Sequence, residues 1–299
     1  MDFQSICQRI EETYGTMSPQ LKRAARHALD HPDDIALNSM RQFASKAGVQ
    51  PATMVRLAQK LDLDGYASFQ KPFQTRLRTR PAQSYSNSAR SIQARGPDNG
   101  RDMFEEMMHM DHANLNDISA TVGYETLAKC AKLISKAPHV YVAGVRGCYP
   151  AAFYFQYACS MFKNNVTLLD GRGGTFADDL RGAGENDVVL VISFEPYSRS
   201  VVHAAEYAAS HGAHIIAITD SILSPLLKGD KTTPIILQSA SPAFFHSMLP
   251  VMAVVQALSL LLLAGGGEKA LRELTESEIQ LETFGAYWSD DGMLETEDA

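Results

Sequence analysis

Residues 188–221 read VVLVISFEPYSRSVVHAAEYAASHGAHIIAITDS, and they decide the architecture. An unbroken apolar run, a polar turn, a helix-length segment and a second unbroken apolar run follow one another. A strand with one wet face alternates apolar and polar residues, so a strand without alternation is covered on both faces, as in a parallel sheet. Strand, helix and parallel strand in that order make a right-handed crossover unit. The same texture extends outward through the runs HVYVAG (139–144), VTLLD (166–170), DVVLVISF (187–194), HIIAITD (214–220) and TPIILQ (233–238). Helical stretches such as AAFYFQYACSMF (151–162) and SVVHAAEYAASHG (200–212) separate them. The pattern predicts a doubly wound α/β domain on five parallel strands. Ligands of such sheets bind outside the carboxyl ends of the strands.

Before this body the chain has a different character. The stretch PAQSYSNSARSIQARGPDNG (81–100) is rich in Ser, Asn, Pro and Gly without apolar periodicity and reads as a linker. Residues 1–80 look wholly helical, with Ser18-Pro19 as a start signal. They hold 12 Lys and Arg against 8 Asp and Glu, a net of +4, whereas the remainder carries −11 of a total of −7. A basic head on an acidic body directs the search for nucleic-acid contacts to the head.

Within the head, MRQFASKAGVQPATMVRLAQKLDLDGY (40–66) has the spacing of a helix-turn-helix. Phe43, Ala44 and Ala47 close a first helix, Gly48 permits the left-handed turn, and Val49 plugs the angle between helices. A second helix over 50–61 is expected to face Val55, Leu57 or Ala58, and Leu61 inward. It then presents Gln50, Pro51, Ala52, Thr53 and Arg56 outward, with Gln59 and Lys60 a turn further on near the DNA backbone. Small polar side chains followed by Arg suit a major groove. An αα corner packing on another domain would share the pattern.

In the body, the first strand ends in Gly144-Val145-Arg146-Gly147-Cys148, before a helix opened by Tyr149-Pro150. Exposed amides at such a turn favour an anion. Asp170 ends the second strand, but the glycine spacing is not that of a dinucleotide fingerprint. The third strand ends in Ser193-Phe194-Glu195-Pro196-Tyr197-Ser198-Arg199-Ser200, again before a helix. Two polar turns at neighbouring strand ends describe one pocket.

Taken together, these parts resemble the RpiR/MurR type of bacterial transcriptional regulator, whose body is a SIS (sugar isomerase) domain. The resemblance runs from about Ser18 to Gly266 and rests most on AGVQPATMVRLAQKLDLDGYASFQ (47–70), VYVAGVRGCYPAA (140–152) and residues 188–221. It implies a protein that binds double-stranded operator DNA as a homodimer or homotetramer. Its DNA affinity would change when a phosphosugar or related metabolite occupies the SIS pocket.

Carried over residue by residue, the family's G-x-G-x-S loop falls on Gly144, Arg146, Gly147 and Cys148, with Arg in place of the second glycine and a thiol in place of the hydroxyl. The S-x-S-G-x-T loop falls on Ser193, Glu195, Tyr197 and Ser198, followed by Arg199. Glu195 replaces the middle Ser, and Pro196 removes an amide donor. These departures make an acidic, amino or polyol sugar derivative that uses both Arg146 and Glu195 as good a fit as a phosphosugar.

The alternative from another class is a SIS-type sugar-phosphate isomerase with an extra helical domain, for which Glu195 and His246 are the candidate bases. A histidine between Phe244, Phe245 and Met248 reads better as a packed residue. Cys148 at a helix start would serve as a nucleophile or redox sensor only with a lowered pKa. We therefore expect no catalytic residues, no metal and no cofactor.

Four scattered cysteines, no CxxC pair and no secretory leader fit a reduced, cytoplasmic protein. The apolar stretch 248–264 is too short and too interrupted for a membrane span, and reads as the end of a buried helix over 242–264. That helix and a Met103, Met107, Met110 and Leu115 stripe on a helix over 101–121 are the expected dimer surfaces. Residues 101–285 form the SIS-type unit, and 286–299 an acidic tail.

Overall fold

A computed structural model describes residues 2–79 and 85–288. They divide into two compact units. The first comprises residues up to Glu105 with Ser221–Leu227 and Pro242–Phe245; the second comprises Glu106–Asp220, Lys228–Ser241 and the residues from His246 onward.

The first unit is all helical: α1 (Phe3–Tyr14), α2 (Pro19–Asp30), α3 (Pro32–Leu37), α4 (Met40–Lys46), α5 (Pro51–Lys60), α6 (Tyr66–Thr79) and α7 (Tyr85–Arg95). Proline opens α2, α3 and α5, where its missing N–H costs nothing. Ser39 and Gln42 form a reciprocal capping box at the start of α4. Between α4 and α5, Gly48 takes φ +63°, a left-handed conformation that side chains resist. The turn closes when the Val49 amide donates to the Ala44 carbonyl at 2.9 Å, and Val49 packs half-buried against the core. Phe43, Met54, Leu57 and Leu61 are fully buried. The inward residue at the start of α5 is thus Met54 rather than Val55, which is half-buried. Met54 lies three and four positions from Leu57 and Ala58 and completes their stripe, whereas Val55 stands about 100° around the helix.

The 81–100 stretch also differs from expectation, since α7 occupies most of it, without a buried residue. Missing apolar periodicity reports missing burial, and Ala, Arg, Gln and Ser still sustain a helix. Residues 80–84 lie outside the described residues, as does most of the acidic tail, from 289 onward.

After α8 (Gly100–Thr121) and α9 (Gly123–Lys136) comes the sheet: β1 (Val140–Gly144), α10 (Tyr149–Ser160), β2 (Val166–Leu168), α11 (Phe176–Leu180), β3 (Val188–Ile192), α12 (Arg199–Ser210), β4 (His214–Thr219) and β5 (Thr232–Ile236). Helices α13 (Leu249–Ala264) and α14 (Gly267–Thr283) close the described chain. All strands are parallel, in the order β2-β1-β3-β4-β5, with Val142 opposite Leu168 on one side and Leu190 on the other. Every residue of β1 and β3 is buried, the reason their runs do not alternate. Pro234 sits in β5, an edge strand with donors to supply on one side only.

Val140, Val142, Leu190, Ile192, Ile216 and Ile218 pack with Ile134, Phe155, Val251, Val254, Val255 and Leu258 in one cluster, bringing α9, α10 and α13 onto the sheet. Helix α12 packs on β3 and β4 through Val201, Ala204, Ala205 and Ala208. The expected helix over 242–264 begins only at Leu249. The Ser247 amide bonds the Ser239 carbonyl at 3.0 Å instead of a helical partner, and Pro250 sets the first turn. Among the described residues no single helix is long and apolar enough to cross a membrane.

Candidate functional site

Two surfaces carry the residues singled out from the sequence. On α5, Gln50, Ala52, Arg56, Gln59 and Lys60 are exposed, while Pro51 and Thr53 are half-buried. Thr53, Arg56 and Lys60 are spaced three and four apart, so they stand on one face above the buried Met54, Leu57 and Ala58. Among the described residues, neither Arg56 nor Lys60 is held in a salt bridge or side-chain hydrogen bond. Gln50 makes no side-chain cap, so the first amides of α5 have no side-chain partner. An exposed helix face carrying Thr53, Arg56 and Lys60 on a rigid core can meet phosphates and base edges with its side chains.

The second surface lies at the carboxyl ends of the strands. In a 2-1-3-4-5 sheet the chain leaves β1 toward one side and returns to β3 on the other, so a crevice opens between their loops. Gly144 ends β1 with its α-carbon almost in contact with the following helix. A Cβ there would lie 2.8 Å from the Ala152 Cβ and 3.0 Å from the Cys148 carbonyl oxygen. Arg146 adopts φ +54°, the conformation expected of the glycine it replaces, and one that costs a side-chain-bearing residue about 1–2 kcal/mol. Arg146, Gly147 and Arg199 are exposed. Among the described residues, neither arginine side chain is engaged in a hydrogen bond or ion pair.

The Cys148 thiol turns inward. Burial pushes it up to about 11, with the Phe194 backbone amide pulling the other way and the Asp220 charge adding to the rise. The helix start therefore does not activate it. Such a thiol is protonated and unreactive near neutral pH.

The loop after β3 is held from below. Ser193 is buried, and its Oγ accepts the Ser198 amide at 3.0 Å. Asp220, just past β4, accepts the Glu195 amide at 2.9 Å with Oδ2, and the Tyr197 hydroxyl at 2.7 Å and the Thr219 hydroxyl at 3.2 Å with Oδ1. Ser198 and Ser200 hydroxyls face each other at 3.3 Å. Glu195 is exposed, and its backbone carbonyl meets His246 Nε2, whose ring lies 6.1 Å from that of Phe194. A ring nitrogen facing a carbonyl carries its hydrogen, so that nitrogen is a donor and not a base. His246 Nδ1 is 3.4 Å from the Ser239 hydroxyl.

All nine residues expected at the ligand site thus lie on two adjacent strand-end loops. Gly144, Cys148 and Ser193 build the floor, and Arg146, Glu195 and Arg199 reach solvent. Asp220 was missed. Its only sequence signal is an acid closing the HIIAITD run at a strand carboxyl end. Asp170 closes the second apolar run in the same way and binds Arg172 Nε at 2.8 Å. Among the described residues, no group of His, Cys, Asp and Glu side chains is placed to hold a metal.

Comparison with known proteins adds two domain matches, two relatives and two solved structures. Residues 4–79 match the helix-turn-helix domain of the rpiR family, and residues 133–261 match the SIS domain. An HTH-type transcriptional regulator of Escherichia coli (strain K12), YfhH, is 24% identical over 71% of this chain and 74% of its own length. An HTH-type transcriptional regulator of Haemophilus influenzae is 22% identical over 74% of this chain and 76% of its own length. Among solved structures, the sugar isomerase domain of an RpiR transcription factor from Sphaerobacter thermophilus superposes with a TM-score of 0.53 at 25% identity, over 58% of this chain and 96% of that one. The NanR protein of Vibrio vulnificus, complexed with ManNAc-6P, has a TM-score of 0.53 at 17% identity, over 93% of this chain and 99% of that one.

Proposed function

We propose that this chain, whose residues 4–79 match the rpiR-family helix-turn-helix domain and whose residues 133–261 match the SIS domain, binds operator DNA through α5 and adjusts that binding to a sugar-derived metabolite. The metabolite occupies the crevice between the β1 and β3 loops. The helix-turn-helix region (1–80), the SIS-type unit (101–285) and the segment 81–100 between them divide the labour. The regulator acts as a homodimer or homotetramer in the cytoplasm, where its DNA is. Two recognition helices one DNA turn apart would read a near-palindromic site.

The observation that carries the ligand side is Arg146: an exposed, unpaired arginine in a strained conformation at the switch point of the sheet. Strain of this kind is kept where a site needs it. The NanR neighbour is complexed with a phosphorylated amino sugar, which makes a sugar derivative the reasonable class. Within that class the loop favours a ligand with its own acid, amino or hydroxyl groups over a simple phosphosugar. Asp220 and Ser193 already use the Glu195 and Ser198 amides and the Tyr197 hydroxyl, and Pro196 has no amide to offer. A phosphate would also meet the Glu195 carboxylate, at about 4 kcal/mol for a contact near 4 Å at an effective dielectric of 20.

A thermal-shift screen of phosphosugars against their unphosphorylated acid, amino and polyol counterparts, repeated with Arg146→Ala, tests the assignment. Ligand at about 100 times its dissociation constant stabilises by about 2.7 kcal/mol. Stabilisation by unphosphorylated compounds that Arg146→Ala abolishes supports the proposal. A response confined to phosphorylated compounds returns the pocket to the phosphosugar class. The isomerase reading is disfavoured by His246, whose Nε2 is committed to a backbone carbonyl. Turnover of a sugar phosphate without DNA binding would reinstate it.

A further inference from the structure

The second unit has another concave place, at the opposite end of the sheet. Pro138 and Asn165 stand just before β1 and β2, and with Lys163, Gly266, Lys269 and Glu273 they help line a cavity of about 500 Å³. That volume is within the range of sites for small metabolites. It is separated from the crevice by the length of β1, roughly 16 Å at 3.3 Å per residue.

Several features of the chain converge there. Just past α10 the Lys163 amide keeps a helical bond to the Cys159 carbonyl at 2.8 Å, and the Lys163 side chain is half-buried at the rim. Helices α13 and α14 meet at a bend of 112°, which brings the first turn of α14, with Lys269, to the same cavity. Among the described residues, neither lysine side chain has an ion-pair or hydrogen-bond partner. Glu273 is half-buried, lines the cavity, and forms no salt bridge with either. Burial first, and the charge of Lys269 in addition, hold the Lys163 pKa below the usual lysine value, although nearby Cys159 opposes this. The cavity thus carries two cations, half-buried Lys163 and exposed Lys269, against the single carboxylate of Glu273, a net positive charge that favours an anion. The amides that open α14 have no side-chain cap and face in the sense that favours an anion.

We infer that this cavity is a second small-molecule site, which takes a dianionic phosphate group between Lys163 and Lys269. It is independent of the crevice ligand. A phosphate there neutralises both ammonium groups, and Asn165 and the Glu273 carboxylate leave room for hydroxyls on whatever carries it. Free inorganic phosphate and a phosphorylated metabolite share this chemistry.

The test is a thermal shift of the full chain in inorganic phosphate against chloride at matched ionic strength, followed by sugar phosphates at the same concentration. We expect phosphate to raise the Tm of the wild type and of Arg146→Ala equally, and to leave Lys163→Gln/Lys269→Gln unmoved. That double variant should melt in chloride at or above the wild-type temperature, because it removes a like-charge contact. A sugar phosphate acting at much lower concentration than free phosphate would identify an ester as the natural ligand; equal potency would identify the free ion. No phosphate response in the wild type, an undiminished response in the double variant, or loss of the response in Arg146→Ala would overturn the inference. Should the double variant not fold, the wild type still decides. With labelled lysine, NMR titration must show the Lys163 pKa rising when phosphate is added, and an unchanged value contradicts the site.

Discussion

The exposed face of α5 proposed to meet DNA and the crevice between the β1 and β3 loops are built in opposite ways. On α5 each polar side chain is its own unit, set on a continuous helix whose other face is pinned by Met54, Leu57 and Ala58. In the crevice hardly any group acts alone. Asp220 lies 25 residues from Glu195 yet fixes both its amide and the Tyr197 hydroxyl, and Ser193 folds the same loop from beneath. The first surface should therefore respond to substitution one contact at a time. In the second, loss of a buried support should disturb every exposed group above it.

The sharpest way to break this contrast is at the floor of α5. Leu57→Ala deletes a fully buried side chain and should cost about 2–5 kcal/mol. Calorimetry should show the loss in the transition of the first unit, and DNA binding should vanish with it. Next comes the floor of the crevice. Asp220→Ala strands an amide and a phenol and should cost about 1–3 kcal/mol. It should abolish stabilisation by the metabolite while DNA binding without ligand persists; retained stabilisation would mean that the loop does not depend on its support.

Arg56→Ala should weaken specific DNA binding by about 1–3 kcal/mol without changing the melting temperature. Lys60→Ala should instead weaken all sequences alike and lower the salt slope by about 1. Anisotropy titrations at several salt concentrations separate the two. Arg146→Gly removes a left-handed side-chain-bearing residue and should raise stability slightly, by up to about 1 kcal/mol, while eliminating the ligand response.

The smallest effect is chemical. The Cys148 thiol is raised from 9 to about 11 by burial, so the folded state favours its protonated form. The stability this contributes is complete below about pH 9 and is lost as pH rises through about 11. Alkylation at Cys148 should be slow at pH 8. Fast labelling there would contradict the burial.

What could be read from the chain follows the same division. The inner strands β1, β3 and β4 were legible because burial on both faces writes itself as unbroken apolar runs, the edge strands β2 and β5, only partly buried, because their runs are apolar all the same, and α5 because its stripe and its Gly48 turn are local. Met54 was missed in favour of Val55 by one position, an error of about 100° around a helix. The late start of α13 was hidden by PAFF (242–245), apolar letters that continue the pattern of the helix although Ala243, Phe244 and Phe245 stand exposed before it. Asp220 was illegible for a different reason: its bonds cross from one strand end to another, and no spacing within a single segment records them. The left-handed backbone of Arg146 is likewise a property of the assembled turn and not of its letters.

Regulation of this kind requires the crevice and α5 to be coupled. The most direct measurement is the affinity of the full-length protein for an operator duplex, selected from random sequence, with and without the metabolite that raises its Tm. Coupling of about 1–3 kcal/mol, a change of about 5–150-fold, is expected in the wild type and should be absent in Arg146→Ala. Equal affinity with and without ligand, or an unchanged shift in Arg146→Ala, would contradict it.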